Sequence, residues 1–471
     1  MDQKTNVKAL EKEGLKRGLK TRHLRMIAIG GAIGTGLFYG SAGAITAAGP
    51  SSILAYIIVG IAIYFICRAI GEVTVEEPVS GGPVSLADRY LHPFWAFLIG
   101  WTTLLGGAAG SAATYNALGR YVQFWFPNVP IWVSAACVVA LIFIVNIVAV
   151  KLYGEMEYWI AGIKATAIIL LIILGLLPIL FGIGNHGDPV GFGNLVNHGG
   201  FFPNGISGFI LAFVMVAFAY GGTDNVAVAA GEAENPEKTI SSAITGVFWR
   251  IAIFYVGAVV VLIALNPWNK IGQEGSPFVQ VFDMIGIPAA AHILNFVVIT
   301  AVISAMNSSV YTYSRKIYRM CVTGNGPNFM TKVSKNGIPW LIIILVLGVQ
   351  LFGVVVNYIM PATAFVYFAS IVTGTLILVW VLILLSQLKF RKIKISNNEV
   401  KDLKYKMPFW PYSSYFSLLI LAIVVIAMAF DEKTRIPLIV MPIWTLVLFI
   451  CYKVFIAKKK VNASVIEDHS A

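Results

Sequence analysis

Ile29-Gly30-Gly31-Ala32-Ile33-Gly34-Thr35-Gly36-Leu37-Phe38 places four glycines inside a hydrophobic segment that otherwise reads as a membrane helix. Glycine in a helix interior is unfavourable by about 1 kcal/mol relative to alanine, and a helix in lipid must satisfy its own backbone hydrogen bonds. The cluster therefore predicts a local unwinding. Unwound backbone at membrane depth persists where it faces protein or a water-filled cavity, and there its free N–H groups can hold an anion such as a carboxylate. Two other readings compete. Gly30 and Gly34 have the small-xxx-small spacing of a helix-packing face. A dinucleotide loop would need G-x-G-x-x-G after a strand, whereas the order here is G-x-x-G-x-G after a basic tail.

A second glycine-broken segment, Tyr220-Gly221-Gly222-Thr223-Asp224-Asn225, follows about 190 residues later and favours the binding-site reading. Paired interrupted helices in corresponding halves point to an inverted-repeat transporter site.

The 471 residues around these segments are 58% hydrophobic and 12% charged, with a mean hydropathy of +0.81. Such values lie outside the range of soluble globular domains, so the chain reads as a polytopic membrane protein. Its formal charge of +12 sits in short basic clusters beside apolar runs, which is the positive-inside pattern and argues against a nucleic-acid partner. Cys67, Cys137, Cys321 and Cys451 are widely separated, with no C-x-x-C and no histidine at ligand spacing. Neither a disulfide framework nor a metal site is expected. No P-loop and no nucleophile-base-acid constellation occurs, so neither an ATP motor nor an enzyme is expected. The first apolar run continues past signal-peptide length, so no cleaved targeting segment is expected.

Twelve hydrophobic runs are each long enough to cross a hydrocarbon core of about 30 Å. They fall near 26–48, 52–76, 94–125, 130–150, 156–183, 205–230, 242–265, 285–314, 338–357, 361–388, 412–430 and 436–457. The expected fold is an all-α polytopic membrane protein with twelve transmembrane helices. Residues 1–25 form a basic tail, 26–183 a first repeat of helices 1 to 5, and 184–204 a connector. Residues 205–388 form a second repeat of helices 6 to 10, 389–457 a loop with helices 11 and 12, and 458–471 a second tail. Lysine and arginine crowd the segments after the eighth, tenth and twelfth helices, whereas 185–204 has none. Both termini are therefore expected in the cytoplasm of a cell-membrane protein.

An ionisable residue inside a spanning segment is a functional candidate by default. Lys164 lies about two turns into the fifth helix; it either snorkels to the inner surface or takes and releases a proton. Arg68 and Glu72 stand four apart on one helix face and are expected to pair. Glu232 and Glu234 follow the second break and are candidates for inner-gate contacts. Asp224, inside that break, either caps the restarted helix or meets a solute. Arg120 reads as snorkelling at an outer helix end. Asn307-Ser308-Ser309, with Tyr311, Thr312 and Tyr313, makes a polar run expected to face a cavity. Phe218 and Tyr220 precede the break, where an aromatic either closes over a solute or packs.

Gly18-Leu19-Lys20-Thr21-Arg22-His23-Leu24, followed by Met26 to Phe38, resembles the bacterial amino-acid permeases of the amino acid-polyamine-organocation superfamily. So do Gly71-Glu72, Pro78-Val79-Ser80-Gly81, Tyr153-Gly154-Glu155, Ile163-Lys164, Ala230-Gly231-Glu232-Ala233-Glu234-Asn235-Pro236, Asn307-Ser308 and Ser314-Arg315. The resemblance implies a LeuT-like 5+5 inverted repeat with broken helices 1 and 6, and proton-coupled uptake of an amino acid with no cofactor beyond the proton gradient. It implies a substrate carboxylate at the backbone of Gly34, Thr35 and Gly36, and an ammonium at carbonyls near Ala32, Ile33, Phe218 and Gly221. Phe218 would be the gate, with Tyr220 beside it, and Lys164 would stand where sodium-coupled relatives hold an ion. Gly106, Gly107, Ser111, Asn307 and Ser309 would line the side-chain pocket. Where many members carry an acid in the third helix this chain has Thr114, whereas Gly222-Thr223-Asp224 and Val247-Phe248-Trp249-Arg250 resemble lysine-type members. A neutral or aromatic substrate is expected, with a cationic one as the alternative. Amino-acid exchange without a proton, and a nutrient receptor that binds without transporting, are the competing functions.

Overall fold

The computed structural model describes residues 33–78, 81–148, 150–183, 186–225, 236–271, 277–279, 288–334, 338–360 and 364–457. Within them the regular structure is helical, and ten stretches are long and apolar enough to cross a membrane. The first of these, Thr35–Glu76, is divided: α1 (Thr35–Phe38), α2 (Gly40–Ala48), a 3-10 turn at Gly49–Ser51, and α3 (Ser52–Glu76). Pro50 and the positive φ of Gly49, 61°, make that turn. A short helix α4 (Pro83–Tyr90), outside the expected spans, starts after Gly81 and Gly82, both at positive φ, with proline in its first turn.

Then come α5 (Pro93–Gln123), α6 (Ile131–Val148), α7 (Val150–Phe181) and α8 (Gly205–Ala219). Helix α9 (Pro236–Arg250) passes through a π-helical segment, Ile251–Gly257, into α10 (Ala258–Leu265). The remainder is α11 (Pro288–Val322), α12 (Trp340–Ile359), α13 (Ala364–Ser396), α14 (Tyr412–Ala429) and α15 (Ile436–Cys451). Helices α11 and α13 run past the ends expected from hydrophobicity, at 314 and 388, because their last turns carry basic residues that hydropathy counts as loop.

Helix α5 is the hub and packs against α4, α6, α11, α12, α13 and α15. Small residues make this possible, since association inside lipid depends on close van der Waals packing. Gly353 of α12 lies against the backbone of Ser111, where a Cβ would approach Ala112 N at 2.8 Å. Polar ties cross the same interfaces: Tyr115 Oη donates to Gln350 Oε1 at 3.0 Å, and Asn116 Nδ2 to Asn357 Oδ1 at 3.0 Å. The outward faces of α7 and α15 are Ile, Leu and Phe in extended contact with the surroundings, as lipid-facing helices require.

The expected Arg68–Glu72 pair is not formed. The Glu72 carboxylate is fully buried and meets Arg391 Nη2 at 2.5 Å, Gln387 Nε2 at 2.8 Å and the Met407 N–H at 3.3 Å. Arg68 instead donates to the Lys406 carbonyl and lies over the Tyr405 ring, 3.9 Å from its centroid. Long-range partners outcompete the helical neighbour because they supply the buried carboxylate with both a countercharge, Arg391, and two hydrogen-bond donors on Oε2.

Candidate substrate site

Within the described residues, regular α-helix is interrupted in both glycine-rich segments, at Gly34 in the first and after Ala219 in the second. Gly34 is extended, at φ −143° and ψ −161°, and α1 gives way to α2 at Tyr39, φ −120°. Thr35 and Gly36 are the first residues of α1, the position at which a helix leaves its leading N–H groups without intrahelical acceptors. In the second segment α8 ends at Ala219, Gly222 takes φ 88°, and Thr223–Asn225 form a single 3-10 turn. Thr223 closes the break by donating its hydroxyl to the Tyr220 carbonyl at 2.9 Å.

Between the segments lies a cavity of about 150 Å³. Its walls are Gly34, Thr35 and Gly36 on one side and Phe218, Ala219, Gly221, Gly222 and Asn225 on the other. Helix α5 adds Gly107, Gly110, Ser111 and Thr114, and α11 adds Ala305, Met306, Ser308, Ser309 and Tyr313. Val372 and Leu376 of α13 complete the apolar side. Thr35 Oγ1 and Thr114 Oγ1 are 3.3 Å apart, and Gln350 Nε2 donates to Ser309 Oγ at 3.2 Å. None of these described wall residues is acidic or basic. A larger apolar groove of about 590 Å³ runs between α7 and α11, but its rim of Trp159, Ile163, Leu170 and Ile293 is on the bundle exterior.

The structure brings Gly34, Thr35, Gly36, Gly107, Ser111, Phe218, Gly221 and Ser309 to one cavity. Other expected positions lie elsewhere. Tyr220 points away from the cavity: its hydroxyl donates to the Tyr56 carbonyl at 2.8 Å, and its ring lies 4.5 Å from that of Tyr255. Residues two apart on a helix face opposite ways, so Phe218 and Tyr220 cannot both close the site. Asn307 accepts from Asn146 Nδ2 at 2.7 Å, tying α6 to α11. Gly106 backs onto Thr375, and Ile33 is buried outside the cavity wall. Ala32, Glu232 and Glu234 lie outside the described residues. Val372 and Leu376 were not singled out in the sequence, because an apolar residue on an apolar helix carries no local signal.

Lys164 is fully buried and does not reach the surface. Its Nζ donates to Ser304 Oγ at 2.8 Å, and Ser304 is the immediate neighbour of cavity residue Ala305. Asp224 does not line the cavity; its carboxylate is 3.5 Å from Lys316 Nζ, which makes an ion pair between the second break and α11.

A bundle of apolar, membrane-length helices, with extended backbone at Gly34 and a turn at Gly222 on opposite walls of one cavity, is that of a multi-pass membrane transporter rather than an enzyme. The amino acid permease family model matches residues 23–464, and the chain belongs to that family. It is 45% identical over 442 residues to the uncharacterized amino acid permease YtnA of Bacillus subtilis (strain 168), covering 94% of this chain and 95% of that protein. It is 42% identical over 459 residues to the probable threonine/serine transporter YbxG of the same organism, covering 97% and 98%. The crystal structure of MhsT in complex with L-phenylalanine superposes with a TM-score of 0.58 at 15% identity, covering 88% of this chain and 98% of that one. At that identity the likeness concerns the fold, which is that of the LeuT-type transporters.

Proposed function

We propose that the protein carries a neutral L-amino acid across the cell membrane, coupled to proton entry, with the substrate held between the two broken segments. The observation that carries the reading is the cavity itself: the N–H groups that open α1 suit a carboxylate, and the carbonyls at the end of α8 suit an ammonium, the Phe218 carbonyl accepting from the Gly221 N–H at 3.0 Å and keeping a second lone pair. An amino acid presents both groups on one carbon. The described walls around the remaining space offer the hydroxyls of Thr114, Ser111 and Ser309 and no carboxylate to pair a cationic side chain. A cavity of about 150 Å³ suits a small side chain better than an aromatic one, and the threonine/serine name of a relative agrees. Lys164, buried behind the cavity wall, is the group we assign to the proton. Twelve crossings follow if Thr35–Glu76 counts as two and the shorter apolar helix Ile131–Asn146 as one, which leaves both termini in the cytoplasm.

The test is uptake of radiolabelled amino acids by purified protein in proteoliposomes, with and without an inward proton gradient. Accumulation of L-threonine or L-serine, stimulated by the gradient and not displaced by lysine, is the expected result. Accumulation of lysine would restore the cationic alternative. Uptake that ignores the gradient but needs internal amino acid would make the protein an exchanger, and binding without flux would make it a receptor.

A further inference from the structure

Lys164 is not alone. Glu157, seven residues earlier on α7, is fully buried on the same helix face, and Ser304 of α11 stands between the two. Lys164 Nζ donates to Ser304 Oγ at 2.8 Å, and Ser304 Oγ donates to Glu157 Oε2 at 2.6 Å. The direct approach of Nζ to Glu157 Oε1 is longer, 3.9 Å, and Oε1 has no hydrogen-bond donor. In a purely structural ion pair the ammonium would sit on the carboxylate. Here a hydroxyl separates them, and both hydrogen bonds point the same way.

We propose that Glu157, Ser304 and Lys164 form a proton-transfer chain, with Glu157 receiving the proton that Lys164 gives up. The proposal rests on the proton-coupled reading above. In the transfer, an N–H bond of Lys164 breaks as an O–H bond forms at Ser304, and the hydroxyl's original O–H bond breaks as one forms at Glu157 Oε2. The ammonium becomes an amine, the carboxylate becomes an acid, serine is unchanged, and no electrons change hands. Two buried charges are thereby exchanged for two neutral groups. Burial costs several kcal/mol per ion, so the neutral pair is an accessible state rather than a remote one. Glu157 lies about 10 Å from Lys164 along α7, towards the helix end that the lysine and arginine count assigns to the cytoplasm.

Among the described residues, the elements packed against α7 carry few other titratable groups. Helix α6 carries Cys137 as its one titratable side chain and α10 carries none, while Tyr255 of the π-helical segment donates its hydroxyl to the Ala219 carbonyl. On α11 the nearest charged or titratable positions besides the tyrosines are His292 and Arg315, about 16 Å or more along the helix from Ser304. Because Ser304 adjoins Ala305, a change of charge in the chain acts directly behind the cavity wall.

The experiment compares wild type, Glu157→Gln, Ser304→Ala and Lys164→Ala in proteoliposomes, with L-threonine as the probe. Gradient-driven accumulation is measured beside counterflow at equal pH, which needs binding and alternation but no net proton. Glu157→Gln and Ser304→Ala are expected to lose about tenfold or more of accumulation, with much smaller losses of counterflow. Ser304→Ala retains both ionisable groups, so it tests the transfer even if Glu157→Gln fails to fold. Accumulation retained by Ser304→Ala, or by a folded Glu157→Gln, while Lys164→Ala loses it, overturns the chain and leaves the proton-coupled reading standing. Gradient-independent uptake by wild type overturns both.

Discussion

Gly36 and Ala219 meet backbone to backbone: a Cβ on Gly36 would lie 2.6 Å from Ala219 Cα and 3.1 Å from its carbonyl oxygen. This is where the two broken segments touch, and no flexible side chain is available to yield. Gly34, two residues earlier, would place a Cβ at an ordinary 3.6 Å from Ala305 Cβ. Gly36→Ala is therefore expected to force the segments apart at a cost of about 1–3 kcal/mol, lowering the melting temperature in detergent and abolishing uptake. Gly34→Ala should fold with a near-normal melting temperature. Equal melting temperatures for the two variants would show that the contact at Gly36 is not a constraint.

Thr114 faces the cavity beside Thr35 and takes no part in an ion pair. Thr114→Glu would place a carboxylate there with no basic residue among the described walls to meet it. An unpaired buried charge is costly, so uptake of neutral amino acids is expected to fall by about tenfold or more. A cationic substrate would supply the missing partner, and competition by lysine should appear where wild type shows none. Unchanged selectivity in a competition assay would place the side-chain pocket elsewhere.

Phe218 and Tyr220 give a sharper comparison because they are neighbours with opposite surroundings. Phe218 lines the cavity and packs edge-on to Phe365, with centroids 5.8 Å apart. Phe218→Ala should raise KM by about tenfold through lost enclosure of the substrate. Tyr220→Phe removes a buried hydrogen bond to Tyr56 and should cost about 1 kcal/mol of stability with KM unchanged. Melting temperature and KM, measured on both variants, separate the two roles. A raised KM in Tyr220→Phe would contradict its orientation.

The glycine clusters were legible because glycine is a poor helix former wherever it falls, so the penalty can be read without knowing any partner. Buried Lys164 was legible for the same kind of reason: the cost of an intramembrane charge is local. The contribution of α13 to the cavity and the true partners of Glu72 were not. Gln387 is 315 positions from Glu72 along the chain, and no local rule competes with an (i, i+4) neighbour such as Arg68. Glu157 lay within reach of the sequence, since a second ionisable residue two turns from Lys164 repeats the same helix face. What the sequence withheld was Ser304, which arrives from another helix.

The Glu72 cluster yields a prediction whose sign depends on which partner is removed. Arg391 is 7% exposed and Glu72 fully buried, so Arg391→Met strands a carboxylate that keeps Gln387 and the Met407 N–H but loses its countercharge. Breaking a buried pair from one side costs about 3–5 kcal/mol, whereas replacing both partners is often close to neutral. Arg391→Met is therefore expected to lower the melting temperature strongly, and the double variant Arg391→Met with Glu72→Gln to recover most of the loss. The pair ties α3 to α13 and to the loop before α14. If the double variant were as unstable as the single one, the salt bridge would be contributing through the guanidinium's packing against Trp410, 5.6 Å from that ring's centroid, rather than through charge.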